Sequence, residues 1–268
     1  MVHDRASGLF VPVFYILSTA RIGNAYWDMI HFVLQATDQQ LSPAEVICDF
    51  ESALIDAVQT QFRDAIVLGC LFHMKQALRR AMKRYTIPDA ECNVAMTRGV
   101  IDMLTVVNPE HVKSRGITWV KQEMVRRCAD QGVGYSLAKW QEFWEYFERT
   151  WVDGYSVVVW NVHGMDNELV ARTNNPLERF NRVLNTRFPT PHPSMATFVT
   201  VIKQILAEYV QQLNDIPRGR VRRVPRVIIE LPTAVDLPEE LENAGKFGPA
   251  STLSNNASVG SANSVVAL

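Results

Sequence analysis

Apolar residues along this chain change their spacing several times, and each change predicts an element. Residues Leu9 to Leu17 (LFVPVFYIL) form an apolar run rich in Val, Phe, Tyr and Ile, the pattern of a strand buried on both faces between neighbouring strands. The spacing then turns helical. Tyr26, Ile30, Val33 and Leu34 share one face of a helix over Asn24 to Gln35, with Asn24 placed to cap it. Ala44 to Cys48 reads as a short buried strand ending at Asp49, Glu51 to Thr60 as a helix, and Ala65 to Leu68 as another strand closed by Gly69. Strands alternating with helices at this spacing predict an α/β sheet covered by helices. Asp49 then stands at the carboxyl end of a strand, where open α/β sheets hold their ligands.

From Leu71 to about Trp151 the pattern is helical with almost no strand signal. Within it Trp140, Phe143, Trp144, Phe147 and Trp151 fall on one helix face, which predicts a packed aromatic core rather than a base-stacking platform. Arg172 to Asn185 (RTNNPLERFNRVLN) carries the grammar of a helix start: Asn174 or Asn175 as cap, Pro176 in the first turn, and Glu178 just behind it. A further helix is expected from Met195 to Leu213, burying Phe198, Val201, Ile202, Ile205, Leu206 and Tyr209. The chain therefore divides into 1–70 as the first part of an α/β core, 71–171 as a helical insertion, 172–216 as helices returning to the core, and 217–268 as a basic segment and tail. The last 25 or so residues, rich in Ser, Asn, Ala and Gly, carry too little apolar surface to offset ordering entropy, so disorder is expected there.

The 268 residues are 47% hydrophobic and 21% charged, with a net charge of −1, so nucleic-acid binding has to rest on local clusters. Two exist. Lys75, Arg79 and Lys83 are spaced four apart with Arg80 and Arg84 alongside, and no acid interrupts Met74 to Arg84. A second cluster holds Arg218, Arg220, Arg222, Arg223 and Arg226 and suits either a nuclear-targeting segment or a phosphate-binding arm, while Arg172, with Asn174 and Asn175, is expected to position the helix of Glu178 or a nearby phosphate. Cys48, Cys70, Cys92 and Cys128 lie far apart, which argues for reduced thiols rather than a secreted disulfide framework. No stretch approaches the roughly 18 uncharged apolar residues of a membrane span, so no membrane partner is expected.

Read alone, an Asp after a strand serves as a turn or cap residue as readily as a metal ligand, and a Glu in a first helical turn serves the helix dipole. The surrounding sequence narrows this. ICDFESALIDAVQTQFRDAIVLGCLFHMKQALRR (Ile47 to Arg80) resembles the centre of the Mutator-like element (MULE) transposase domain, where the second catalytic Asp opens a DFE-type motif and a CxxH-type motif follows. RTNNPLERFNRVLN resembles the block carrying that family's catalytic Glu, and VPVFYIL the strand between its first and second acids. The resemblance spans about Leu9 to Leu213. It implies an RNase H-like core with an all-α insertion, DNA as partner, nuclear localisation, a possible homo-oligomer, and Asp49 and Glu178 as ligands of Mg²⁺ or Mn²⁺. Hard cations of that kind prefer carboxylate oxygens, and a pair of them activates one oxygen while stabilising the leaving one.

Glu51, beside Asp49, is expected to serve its helix dipole, with contact to a metal-bound water as the alternative; Asp56 is expected to be solvated. Cys70 and His73 could form half of a zinc site, yet Cys92, Cys128, His111 and His163 supply no second paired motif, so a structural or DNA-positioning role is the alternative. The family's first acid lies in a DGTF-like motif upstream of the VPVFY-like strand, and Asp4, in the turn-like context VHDRASG, does not match it. The core's first strand is therefore expected to be missing, and the polynucleotidyl-transfer activity degenerate. The alternative is a domesticated, non-catalytic DNA-binding or transcription-associated protein.

Overall fold

The computed structural model describes residues 1–4, 6–165, 175–188, 190, 192–222 and 231–244. The expected tail beyond 244 and the residues Arg172, Asn174, Arg223 and Arg226 lie outside them. The fold mixes helices with two small sheets of two strands each. Strands β1 (Val2–Asp4) and β2 (Leu9–Val11) pair antiparallel as a hairpin. Its turn is closed by Asp4, whose carboxylate accepts the backbone N–H of Ser7 at 2.9 Å and the Ser7 hydroxyl.

The apolar run expected as one strand from Leu9 to Leu17 stops pairing at Val11. Pro12 follows, has no N–H to donate, and ends a ladder there. Residues 12–18 run on without regular structure, leaving Val13, Phe14, Ile16 and Leu17 exposed. Helix α1 (Gly23–Ala36) begins one residue earlier than expected, with Ile22 rather than Asn24 at the cap position and no side-chain cap bond.

Strands β3 (Glu45–Cys48) and β4 (Ile66–Gly69) pair in parallel, joined through helix α2 (Ser52–Gln61). Because strand side chains alternate, the two faces of this pair divide their burial. Cys48 and Val67, with Val46, pack with Ile55 and Val58 of α2. Leu68, with Ile47, packs into a larger core shared with the helical block. That block consists of α3 (Leu71–Arg84), α4 (Asp89–Met96), α5 (Ile117–Asp130) and α6 (Leu137–Phe147), with single turns of 3-10 and π helix between and after them. Trp140, Phe143, Trp144, Phe147 and Trp151 are all buried in it. Buried Glu91 of α4 ties down the start of α6, accepting the Ser136 N–H and hydroxyl and the Trp140 indole N–H at 2.7–2.8 Å, which satisfies the polar groups that burial would otherwise penalise. The core is continuous across residue 70, since α3 sends Met74, Leu78, Ala81 and Met82 into the helical block directly from the end of β4.

Helices α7 (Asn175–Thr186) and α8 (Met195–Asp215) share a third, smaller cluster of Phe180, Val201 and Ile205, to which Tyr15, Leu184, Phe188 and Tyr209 add. Ser194 caps α8 by accepting the Thr197 N–H at 3.2 Å. Leu206, expected on the buried face of α8, is exposed.

Two residues, Phe50 and Tyr155, join the two larger cores. The Phe50 ring packs against both, meeting Trp151 and Tyr155 edge-on at centroid distances of 4.8 and 5.2 Å. Its carbonyl accepts the Tyr155 hydroxyl at 2.7 Å. On the other side the ring lies so close to Gly69 that a Cβ there would fall inside it. Glycine at 69 thus serves close approach rather than backbone freedom. Gly69→Ala is expected to push Phe50 off β4 and to cost about 1–3 kcal/mol, as overpacking does, read as a lower urea midpoint. Tyr155→Phe keeps the ring and deletes one hydrogen bond, so a smaller loss of about 0.5–1.5 kcal/mol is expected. A Gly69→Ala variant that melts like the parent protein would show that Phe50 is not held there.

Candidate acidic site

Asp49 leaves the carboxyl end of β3 and α3 begins directly after β4, so parallel pairing sets the two beside each other. The Cys70 N–H donates to the Cys48 carbonyl at 2.9 Å, extending the ladder to the first residue of the turn. His73, in the first turn of α3, then reaches Asp49: Nδ1 lies 2.7 Å from Oδ1. On the opposite side of the same ring, Nε2 lies 3.1 Å from Oε1 of Glu178, in the first turn of α7. Two carboxylates far apart in sequence thus meet on one imidazole. Each ring nitrogen thus faces one carboxylate oxygen, with the donor and acceptor roles set by the tautomer.

The donor types suit a hard divalent cation. Asp49 and Glu178 are carboxylates with side chains 55% and 42% exposed, open to solvent in a way that a structural buried pair is not. Each stands against one nitrogen of the same His73 ring, and among the described residues no group of three His, Cys, Asp or Glu side chains is arranged to hold a metal. His73 stands where the two acids would share a ligand.

Neighbouring residues fill out the site. Glu51 occupies the cap position of α2 without a cap bond from its side chain. Its carboxylate instead acts on the Tyr26 hydroxyl, holding that phenol above its ordinary range. Asp56 is exposed on α2, as expected. Asp4 is occupied in closing the β1–β2 turn, and its bonds from Ser7 lower its carboxyl below the usual range. Cys70 is fully buried at the cap position of α3, while both nitrogens of its CxxH partner His73 face carboxylates. Burial, and then the charge of Asp49, pushes the Cys48 thiol up to about 12, so it stays a neutral thiol near pH 7 and not the thiolate that metals and electrophiles require.

The basic residues divide by helix face. Lys75 points into the helical block, 3.3 Å from Asp102, a carboxylate 8% exposed that also accepts the Gly99 N–H at 2.7 Å. Arg79 and Lys83 are exposed. At 3.6 residues per turn, however, it is Arg80 and Arg84 that fall on the face of His73, and Lys75 and Arg79 on the far side. Arg218, Arg220 and Arg222 are exposed just past α8, with Arg220 3.4 Å from Asp215.

Arg80 shares an open cleft of ≈ 360 Å³ with Asp49, His73, Gln76, Tyr146, Thr150 and Trp151. The helix phase of Arg80 relative to His73 was readable from spacing; the contribution of Tyr146, Thr150 and Trp151 depends on how α6 packs, which no local pattern encodes. No helix among the described residues is long and apolar enough to cross a membrane. No family model, no curated protein and no solved structure matches the chain.

Proposed function

We propose that this chain carries two acids of a metal-dependent DNA strand-transfer site, on an RNase H-like core of the Mutator-like transposase type. The observation that supports this is the meeting of Asp49 and Glu178 at His73, because it joins the two segments that resemble the family's acidic motifs. In this reading the carboxylates of Asp49 and Glu178 would hold Mg²⁺ or Mn²⁺, and His73, which reaches both, would keep the two acids together. When bound, the cation supplies Lewis-acid polarisation of a phosphodiester and of its attacking oxygen. The chain's own part is to bind and orient: β3 fixes Asp49, Phe50 fixes the turn behind it, and α7 brings Glu178. DNA is held through phosphates by the exposed arginines near the site and beyond α8, and the site's place in the family implies action in the nucleus.

One observation favours a second reading, DNA binding without chemistry: the His73 ring fills the position between the acids and reaches both. Titration with Mn²⁺, followed by the paramagnetic resonance of free ion, separates the two. Partners outside the coordination shell alone change metal affinity about 10–100-fold, so Asp49→Asn and Glu178→Gln are each expected to weaken Mn²⁺ binding at least tenfold. On duplex DNA the chain is expected to bind with strong salt dependence and, with two acids, to leave the strands uncut. Mn²⁺ affinity indifferent to both substitutions removes the strand-transfer reading and leaves DNA binding alone.

A further inference from the structure

The cleft beside the acid pair has two walls of different chemistry. One is the face of α3 that carries His73, Gln76 and Arg80; the other is the end of α6 and its π-helical continuation, which bring Tyr146, Thr150 and Trp151. Asp49 stands at its edge. Arg80 is exposed and makes no ion pair among the described residues. Tyr146 is only partly buried, touching the Tyr85 and Phe143 rings at 6.2 Å. Trp151 is 2% exposed, and its indole N–H has no acceptor among the described residues.

We infer that this cleft is the seat of an unpaired nucleotide of a DNA strand, next to the acid pair, with its phosphate on Arg80 and Gln76 and its base on the Tyr146 ring. The inference rests on the strand-transfer reading for its substrate and deepens it by naming the form the DNA takes. Volume and chemistry agree. About 360 Å³ lies in the range of small-ligand sites, too narrow for a duplex and sufficient for one nucleotide. A guanidinium gives the phosphate a forked donor, an amide gives donor and acceptor together, and an aromatic face stacks on any base without reading its sequence. Arg84, one turn beyond Arg80 on the same face of α3, continues the positive track away from Asp49, so the strand leaves the acids along α3. Lys75 takes no part, its ammonium being directed at Asp102.

The test is fluorescence anisotropy of a labelled twelve-nucleotide oligo-dT and of a blunt duplex of the same length, with EDTA present so that no metal contributes. Arg80→Ala and Tyr146→Leu are each expected to weaken oligo-dT binding roughly tenfold, the order that loss of one stacked base gives. Gln76→Ala should weaken it less. Tyr146→Phe keeps the ring and should stay within about twofold of the parent chain, as should Arg79→Ala on the opposite face of α3. Duplex binding, which also draws on the exposed arginines, should fall less than oligo-dT binding in Arg80→Ala, and should change little in Tyr146→Leu and Tyr146→Phe. Melting curves accompany each variant, and Gln76 and Arg80 are exposed or partly exposed enough that their replacement leaves the core intact. Equal oligo-dT affinity with and without Arg80 and the Tyr146 ring overturns the proposal, as does a loss in Arg79→Ala as large as that in Arg80→Ala. The outcome is independent of the Mn²⁺ titration. A chain that binds no Mn²⁺ yet shows this pattern keeps the cleft and loses the strand-transfer reading; one that binds Mn²⁺ through Asp49 and Glu178 without the pattern does the reverse.

Discussion

Phe50 is the residue on which the arrangement turns. Its ring must lie against β4, and only a glycine at 69 lets it do so. Once there it touches Trp151 and Tyr155 of the helical block, and its carbonyl takes the Tyr155 hydroxyl. The residue next to Asp49 is thereby fixed from both the sheet side and the helical side. An acid on a turn after a short strand would otherwise sample many positions, and ordering it against that entropy takes contacts of this kind. The helical block is therefore more than an appendage to the α/β part: it supplies half the packing that holds the turn of Asp49, and one wall of the cleft beside it.

The elements whose sequence carries a local period were legible. Strands β3 and β4, helices α1 to α3, and α7 with Glu178 in its first turn lie within a few residues of where spacing and caps place them. The Leu9 to Leu17 run was not, because apolar content predicts burial without saying whether a neighbour exists to pair with, and Pro12 outweighs it. The site divides the same way. Asp49 at a strand end and Glu178 in a first turn could be singled out by position. Cys70 and His73 read as a pair because they are three residues apart, whereas in the fold the sulfur turns into the core and the imidazole turns to the two acids. A helix places residues i and i+3 near one another but does not decide which way each is used. Lys75 shows the same limit: its spacing with Arg79 and Lys83 suggested a phosphate track, and a buried Asp102, far off in sequence, claims its charge.

The RNase H-like reading and the described sheets meet only in part. Two parallel strands with a helical crossover are a unit that many α/β folds share, so this sheet is compatible with an α/β class without singling out one fold. What the fold adds is a physical link between the two resembling segments. Neither segment's local pattern requires the other; the His73 ring connects them.

The two acids do not rest on equal foundations. Asp49 is anchored among the buried residues of two cores, while Glu178 rides on a helix whose own buried cluster is three residues with a few partly covered neighbours. Local unfolding free energies follow such differences in burial. The α7–α8 pair should accordingly detach well below the global unfolding threshold, carrying Glu178 with it and leaving Asp49 and His73 in place. Assembly of the acidic site is then a docking equilibrium of its own. Anything that binds across Asp49 and Glu178 together would be measured, in hydrogen exchange, as protection of α7 before any change reached the aromatic core.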